Sequence, residues 1–135
     1  MSKIYRVKDV MVQGVVYIDG MATIDEAASS MRSSKVSELL VSKRSPDDAW
    51  GLVTVQDIVR EVIEPGRKPK DVFAYEVMSK PAISVPAEMD IRYAIRLLLT
   101  IGISHAPVES NGEMVGMLTM RHLILNSDIF MDEES

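Results

Sequence analysis

The stretch Gly51-Leu52-Val53-Thr54-Val55-Gln56-Asp57 returns as Gly116-Met117-Leu118-Thr119-Met120-Arg121-His122. Such a recurrence constrains the fold more than any local propensity does. A short supersecondary unit lacks a sufficient core by itself, and two copies packed together supply one. The rest of the chain falls into register with this pair. Met11 overlies Met78, Ile24 overlies Ile91, Ala27 overlies Ala94, Ser37 overlies Ser104 and Val41 overlies Val108, all at one constant offset. Past Val41 the offset shortens, because the polar turn at 43–48 has the shorter counterpart Ser110-Asn111-Gly112. A polar turn is where a repeat absorbs an insertion.

The repeat divides the chain into a first copy over 1–63, a linker over 64–73, a second copy over 74–127 and an acidic tail over 128–135. Each copy reads as strand, helix, strand, strand, helix. Short β-branched strands are expected at 15–18 and 83–85. A helix follows each. Thr23-Ile24-Asp25-Glu26 is a capping-box pattern, with Ile24, Ala27, Ala28 and Met31 at helical spacing. Asp90 can cap the second-copy helix, whose stripe is Ile91, Ala94, Ile95 and Leu98. Strand pairs are expected at 39–42 with 51–53, and at 106–109 with 115–118. A closing helix should turn Val55, Ile58, Val59 and Val62 inward in one copy, and Met120, Leu123 and Ile124 in the other. Most of the methionines read as core filling.

Composition narrows the function. The chain of 135 residues has no cysteine, which excludes disulfides, thiolate catalysis and Cys-ligated zinc. The net charge is −5 and the basic residues are scattered, so no nucleic-acid partner is expected. The cluster Arg67, Lys68 and Lys70 reads as linker solvation. The opening MSKIYRVKDV lacks the apolar stretch of a signal peptide, and no run is long enough to span a membrane. The expectation is a cytoplasmic protein without a membrane partner. The chain has no HExxH pattern, nucleophile elbow, P-loop or GxGxxG, and an enzyme is not expected. A magnesium ion on Asp132-Glu133-Glu134 is disfavoured, because three consecutive acids on a regular element cannot all face one ion.

The unit order and several motifs resemble a tandem pair of CBS (cystathionine beta-synthase-like) domains. The matching stretches in the first copy are Val10-Met11, then Val36-Ser37-Glu38-Leu39-Leu40-Val41, then the run from Gly51 to Asp57. In the second they are Val77-Met78-Ser79-Lys80-Pro81, then Ile103-Ser104-His105-Ala106-Pro107-Val108, then the run from Gly116 to His122. The resemblance implies an α/β fold of two β-α-β-β-α repeats packed as a pseudo-twofold pair. It implies two clefts for an adenosyl ligand such as AMP, ADP, ATP or S-adenosylmethionine, acting as a regulatory ligand, with no required cofactor. It further implies a homodimer of four repeats and a regulated partner protein that the sequence does not name. Cleft A would hold Leu52, Thr54, Asp57, Pro81, Ile83, Ile103 and Ser104. Cleft B would hold Gly14, Val16, Val36, Ser37, Met117, Thr119 and His122, with His105 and Arg121 near the phosphates.

The residues bear two readings. Thr54 precedes a helix, so its hydroxyl can cap a free N–H, and Asp57 three positions on can complete a capping box. The same geometry suits a ligand: a helix start favours phosphate, and a carboxylate accepts both hydroxyls of a ribose. His122 stands where the family has Asp. A neutral imidazole offers one acceptor nitrogen, so cleft B should grip ribose less well; alternatively His122 is a plain first-turn residue. Glu38 would repel a phosphate, whereas Arg121 and a protonated His105 would attract one. The expectation is asymmetry between the clefts. The competing reading is a dimerising scaffold whose clefts are vestigial.

Overall fold

The computed structural model describes residues 4–127 and 129. The acidic run Asp132-Glu133-Glu134 lies outside them. In chain order the elements are α1 (Val7–Val10), β1 (Val12–Gln13), β2 (Tyr17–Ile18), α2 (Ile24–Ser34), β3 (Glu38–Val41), β4 (Gly51–Thr54) and α3 (Val55–Ile58). A π-helical turn at Val59–Ile63 continues α3, and a 3-10 turn at Pro69–Asp71 follows. Then come α4 (Ala74–Val77), β5 (Val85–Pro86), α5 (Ile91–Ile101), β6 (His105–Ser110), β7 (Glu113–Thr119) and α6 (Met120–Leu125). The mixed helix-and-strand repeat expected from the sequence is present.

The compact units are offset from the sequence copies. One unit comprises residues 16–82. The other joins the residues up to Val15 to those from Ile83 onward. Each copy's leading arm therefore belongs to the unit that holds the opposite copy's sheet.

In the 16–82 unit, parallel β2–β3 and antiparallel β3–β4 pairs form a three-stranded sheet. The arm of the second copy completes it: Ser79 bridges Leu52 through backbone bonds of 2.9 and 3.0 Å. In the other unit the sheet order is β1-β7-β6-β5, and β1 of the first copy's arm pairs with β7, Val12 opposite Met117.

Each unit has its own core. Val7 and Val10 of α1 are buried with Val85, Ile91, Leu98, Ala106, Val108 and Leu118. Ala74 and Val77 of α4 are buried with Ile24, Leu39, Val41, Val53, Val62 and Val72. Fully burying one valine contributes on the order of 1.5–3 kcal/mol, so the arms hold through these side chains as well as through backbone bonds.

The capping expectations agree with the structure. Glu26 N–H donates to Thr23 Oγ1 at 3.2 Å, Thr23 N–H donates to Glu26 Oε1 at 2.8 Å, and Arg92 N–H donates to Asp90 Oδ1 at 2.9 Å. Three other expectations need correction. The strand expected at 15–18 shrinks to Tyr17–Ile18, and the one expected at 83–85 is displaced to Val85–Pro86. Of the four residues expected to face inward from the first closing helix, Val62 is buried and Ile58 half-buried, while Val55 and Val59 are exposed. Val59 opens the π-turn, whose wider register departs from a 3.6-residue stripe; Val55 precedes that turn and is exposed at the first position of α3. In α6, Leu123 is buried but Ile124 is exposed, and Met21 is exposed rather than core.

Candidate functional site

Thr54 ends β4 with an extended backbone and starts α3. Its hydroxyl accepts Asp57 N–H at 3.1 Å, and its own N–H donates to Asp57 Oδ2 at 2.9 Å. The reciprocal bonds hold the Asp57 carboxylate in place at 7% exposure. Its second oxygen, Oδ1, accepts Arg60 Nη2 at 2.8 Å. That bond, with a further one to Glu61, holds the Arg60 guanidinium above its ordinary pKa. Ser37 lies against this turn, its carbonyl accepting Val55 N–H at 3.0 Å, and its hydroxyl donates to Glu38 Oε2 at 2.7 Å. Glu38 is buried and stands opposite Thr54 in the β3–β4 register. The turn thus sets two carboxylates near one helix start, a surrounding suited to hydroxyl donors and unsuited to phosphate.

The second copy builds the same turn with different chemistry. Thr119 Oγ1 accepts His122 N–H at 3.0 Å. An imidazole, unlike Asp57, returns no carboxylate to the capping residue's amide. Opposite Thr119 in the β6–β7 register stands His105 in place of Glu38. Its Nδ1 lies 3.1 Å from Ser104 Oγ, and the Ser104 carbonyl accepts Met120 N–H at 3.1 Å. Arg121 is exposed in the first turn of α6. Two acids in one copy, Glu38 and Asp57, are therefore replaced by two imidazoles in the other, and Gln56 by a guanidinium.

The model of the CBS domain family matches residues 7–64 and again 74–127. The chain belongs to the CBS-domain family. An uncharacterized protein of Methanopyrus kandleri is 31% identical over 103 residues, covering 76% of this chain and 52% of that protein. This chain thus spans about half of that relative's length. Among solved structures, a hexameric CBS-CP12 protein from bloom-forming cyanobacteria superposes with a TM-score of 0.89 at 31% identity, over 99% of this chain and 74% of that one. A CBS domain protein from Pyrobaculum aerophilum, complexed with AMP, has a TM-score of 0.78 at 23% identity, over 95% of this chain and 97% of that one. At that identity the likeness speaks for the fold.

Within this CBS pair, the residues expected around cleft A divide between the units. Leu52, Thr54, Asp57 and Pro81 lie in the 16–82 unit; Ile83, Ile103 and Ser104 lie in the other. Pro81 is carried there by the Ser79–Leu52 bridge and by the Ala82 N–H bond to the Trp50 carbonyl at 2.8 Å. Of the residues expected around cleft B, Gly14, His105, Met117, Thr119, Arg121 and His122 share one unit, Gly14 through its N–H bond to the Val115 carbonyl at 2.9 Å. Val16, Val36 and Ser37 lie in the 16–82 unit. Inside a unit, Ser37 sits against the Thr54 turn and Ser104 against the Thr119 turn. Ile83 is exposed, while Val16, Val36 and Ile103 are half-buried.

Sequence reasoning missed Arg60. Its spacing of three from Asp57 on a helix was the available signal, since residues so spaced share one face.

Proposed function

We propose that this CBS pair is a regulatory module that binds an adenosyl ligand, AMP, ADP, ATP or S-adenosylmethionine, and transmits its occupancy to a partner protein. Asp57 accepts the ribose hydroxyls. The observation that carries this reading is the Asp57 carboxylate, fixed by Thr54 yet still holding unused acceptor capacity on both oxygens. The AMP complex of the P. aerophilum protein supports the fold's capacity for such a ligand. The Thr119–His122 turn grips ribose less well and favours negative charge, so the two turns differ in preference.

Isothermal titration of AMP, ADP, ATP and S-adenosylmethionine tests this reading. Asp57→Asn is the control, because the amide keeps one oxygen for the Thr54 N–H. One site per chain, lost in Asp57→Asn, is expected. No heat from any of the four overturns the reading.

A second reading has its own support. Val55, Val59 and Ile63 are exposed and recur every four residues along one helical segment. An apolar stripe of that kind favours association with a second copy, which fits the homodimer of four repeats or a scaffold with unused clefts. Sedimentation of the wild type and of Val59→Glu decides whether that stripe is an interface.

A further inference from the structure

The 16–82 unit contains a cavity of about 730 Å³ at the end of its sheet away from Thr54. It lies where Val41 pairs with Gly51, whereas the Thr54 turn lies where Glu38 pairs with Thr54. The volume falls within the range of small-molecule pockets, roughly 300–1,000 Å³. The lining combines Lys43, Arg44 and Lys80 with a single carboxylate, Asp19, and with the exposed apolar side chains Met21 and Tyr75.

The charges at this cavity do not cancel. Lys80 Nζ is bound to Asp48 Oδ1 at 2.7 Å, so that cation is spoken for. Asp48 also accepts Arg44 N–H, through Oδ2 at 2.9 Å, and so pins the loop that carries Arg44. Asp19 Oδ1 accepts Met21 N–H at 2.8 Å. Among the described residues, neither the Arg44 guanidinium nor the Lys43 ammonium has a carboxylate partner. Lys43 Nζ rests 5.4 Å from the centroid of the Trp50 ring. Two cations without a carboxylate partner thus share the cavity lining with Met21, Met78 and Tyr75, in a chain whose net charge is −5.

The other unit carries an ion pair at the corresponding place. In the repeat register, Lys8 is the counterpart of Tyr75 and Glu88 that of Met21. Lys8 Nζ and Glu88 Oε2 pair at 2.9 Å. The 16–82 unit has two apolar side chains, Met21 and Tyr75, where the other unit has this ion pair.

We propose that this cavity is a separate binding site for a small ligand with an anionic headgroup on an apolar body, a phosphate or carboxylate ester-sized molecule. Arg44 and Lys43 hold the anion, and Tyr75 and Met21 cover the apolar part. A planar guanidinium takes either anion through two parallel bonds.

The test is amide-resolved NMR titration of the isotopically labelled chain with phenyl phosphate, benzoate and inorganic phosphate. Arg44→Glu and Asp57→Asn variants run in parallel. Arg44 is exposed and its bond to Asp48 uses the backbone amide, so reversing its charge leaves the fold intact. Saturable shifts at Gly20, Ser42, Lys43 and Tyr75, with a Kd near or below about 1 mM for phenyl phosphate or benzoate, support the site. Weakening by about tenfold or more in Arg44→Glu, with Asp57→Asn unchanged, supports it further. No saturation by either aromatic ligand overturns the proposal. So does binding that Arg44→Glu leaves intact, or inorganic phosphate binding as tightly as phenyl phosphate.

Discussion

Arg60 Nη2 and Asp57 Oδ1 lie 2.8 Å apart, and this bond occupies the carboxylate oxygen that Thr54 leaves free. The capping oxygen is structural and cannot be given up without opening α3. A hydroxyl that binds at Oδ1 shares it with a guanidinium on the same helix face. Adenosine, which carries no phosphate for Arg60 to grip, isolates that competition. We predict that Arg60→Ala tightens adenosine binding by roughly threefold, while stability changes by less than about 1 kcal/mol because the Arg60 side of the pair is exposed and Asp57 keeps its Thr54 bonds. Titration calorimetry and urea unfolding check both. An unchanged or weaker adenosine affinity counts against competition.

The two turns differ in the residue that answers the capping threonine, Asp57 against His122. Replacing His122 with Asp restores an acceptor that can reach back to the Thr119 amide, as Asp57 does to Thr54. His122→Asp is predicted to gain about 0.5–1 kcal/mol of stability from the completed cap. It is also predicted to raise nucleotide stoichiometry from one site per chain toward two. Unfolding curves read the first, and the titration endpoint reads the second. A more stable variant with unchanged stoichiometry would place the asymmetry somewhere other than the ribose.

Gly51 and Gly116 occupy the same place in the two copies, and each lies beneath the opposite copy's arm. A Cβ on Gly116 would stand 2.5 Å from the Val12 carbonyl oxygen and 2.5 Å from Met11 Sδ. On Gly51 it would meet Met78 Sδ at 2.6 Å, with Val41 Cβ next at 3.2 Å. A methionine can move aside; a strand carbonyl cannot. Gly116→Ala should therefore cost about 1–3 kcal/mol, and Gly51→Ala less. Urea denaturation of the two variants side by side gives the order, and equal costs would contradict the geometry.

The Asp48 carboxyl is held down from its ordinary 3.8 to about 2, first by the bond from Lys80 and then by the Arg44 amide. A depressed carboxylate stabilises the fold above its unfolded pKa. That contribution is lost as pH falls through the folded value. The Tm advantage of wild type over Asp48→Asn should be constant from neutral pH to about 5, shrink progressively below that and be mostly gone near pH 2. A gap that persists unchanged at pH 2 would show that the loss in the variant is one of packing rather than charge.

The repeat, the helix caps and the turns at Thr54 and Thr119 were legible because each is a local pattern with a fixed spacing. Thr23 with Glu26 and Thr54 with Asp57 announce reciprocal bonds that the structure contains. The arms were not legible. Val7–Val10 and Ala74–Val77 are single turns, too short to show a period, and their burial is decided by a sheet distant in sequence. Val59 misled because apolar spacing cannot reveal that a helix will widen into a π-turn after Ile58. The cavity near Arg44 was hidden for a related reason. Asp19, Arg44 and Tyr75 come from three separate segments, joined only by the fold.

The exchange of arms has a consequence for how such a chain can arise and be divided. A gene cut at the 64–73 linker would leave each product without the segment that completes its own sheet, and holding instead the one that completes its sister's. An ancestor with a single copy could satisfy the same contacts only by lending its arm to a second molecule and borrowing that molecule's arm in return. Duplication and fusion would have converted that mutual loan into a contract within one polypeptide. The smallest piece that inherits a whole sheet and core is then 16–82, which begins inside one ancestral copy and ends inside the next.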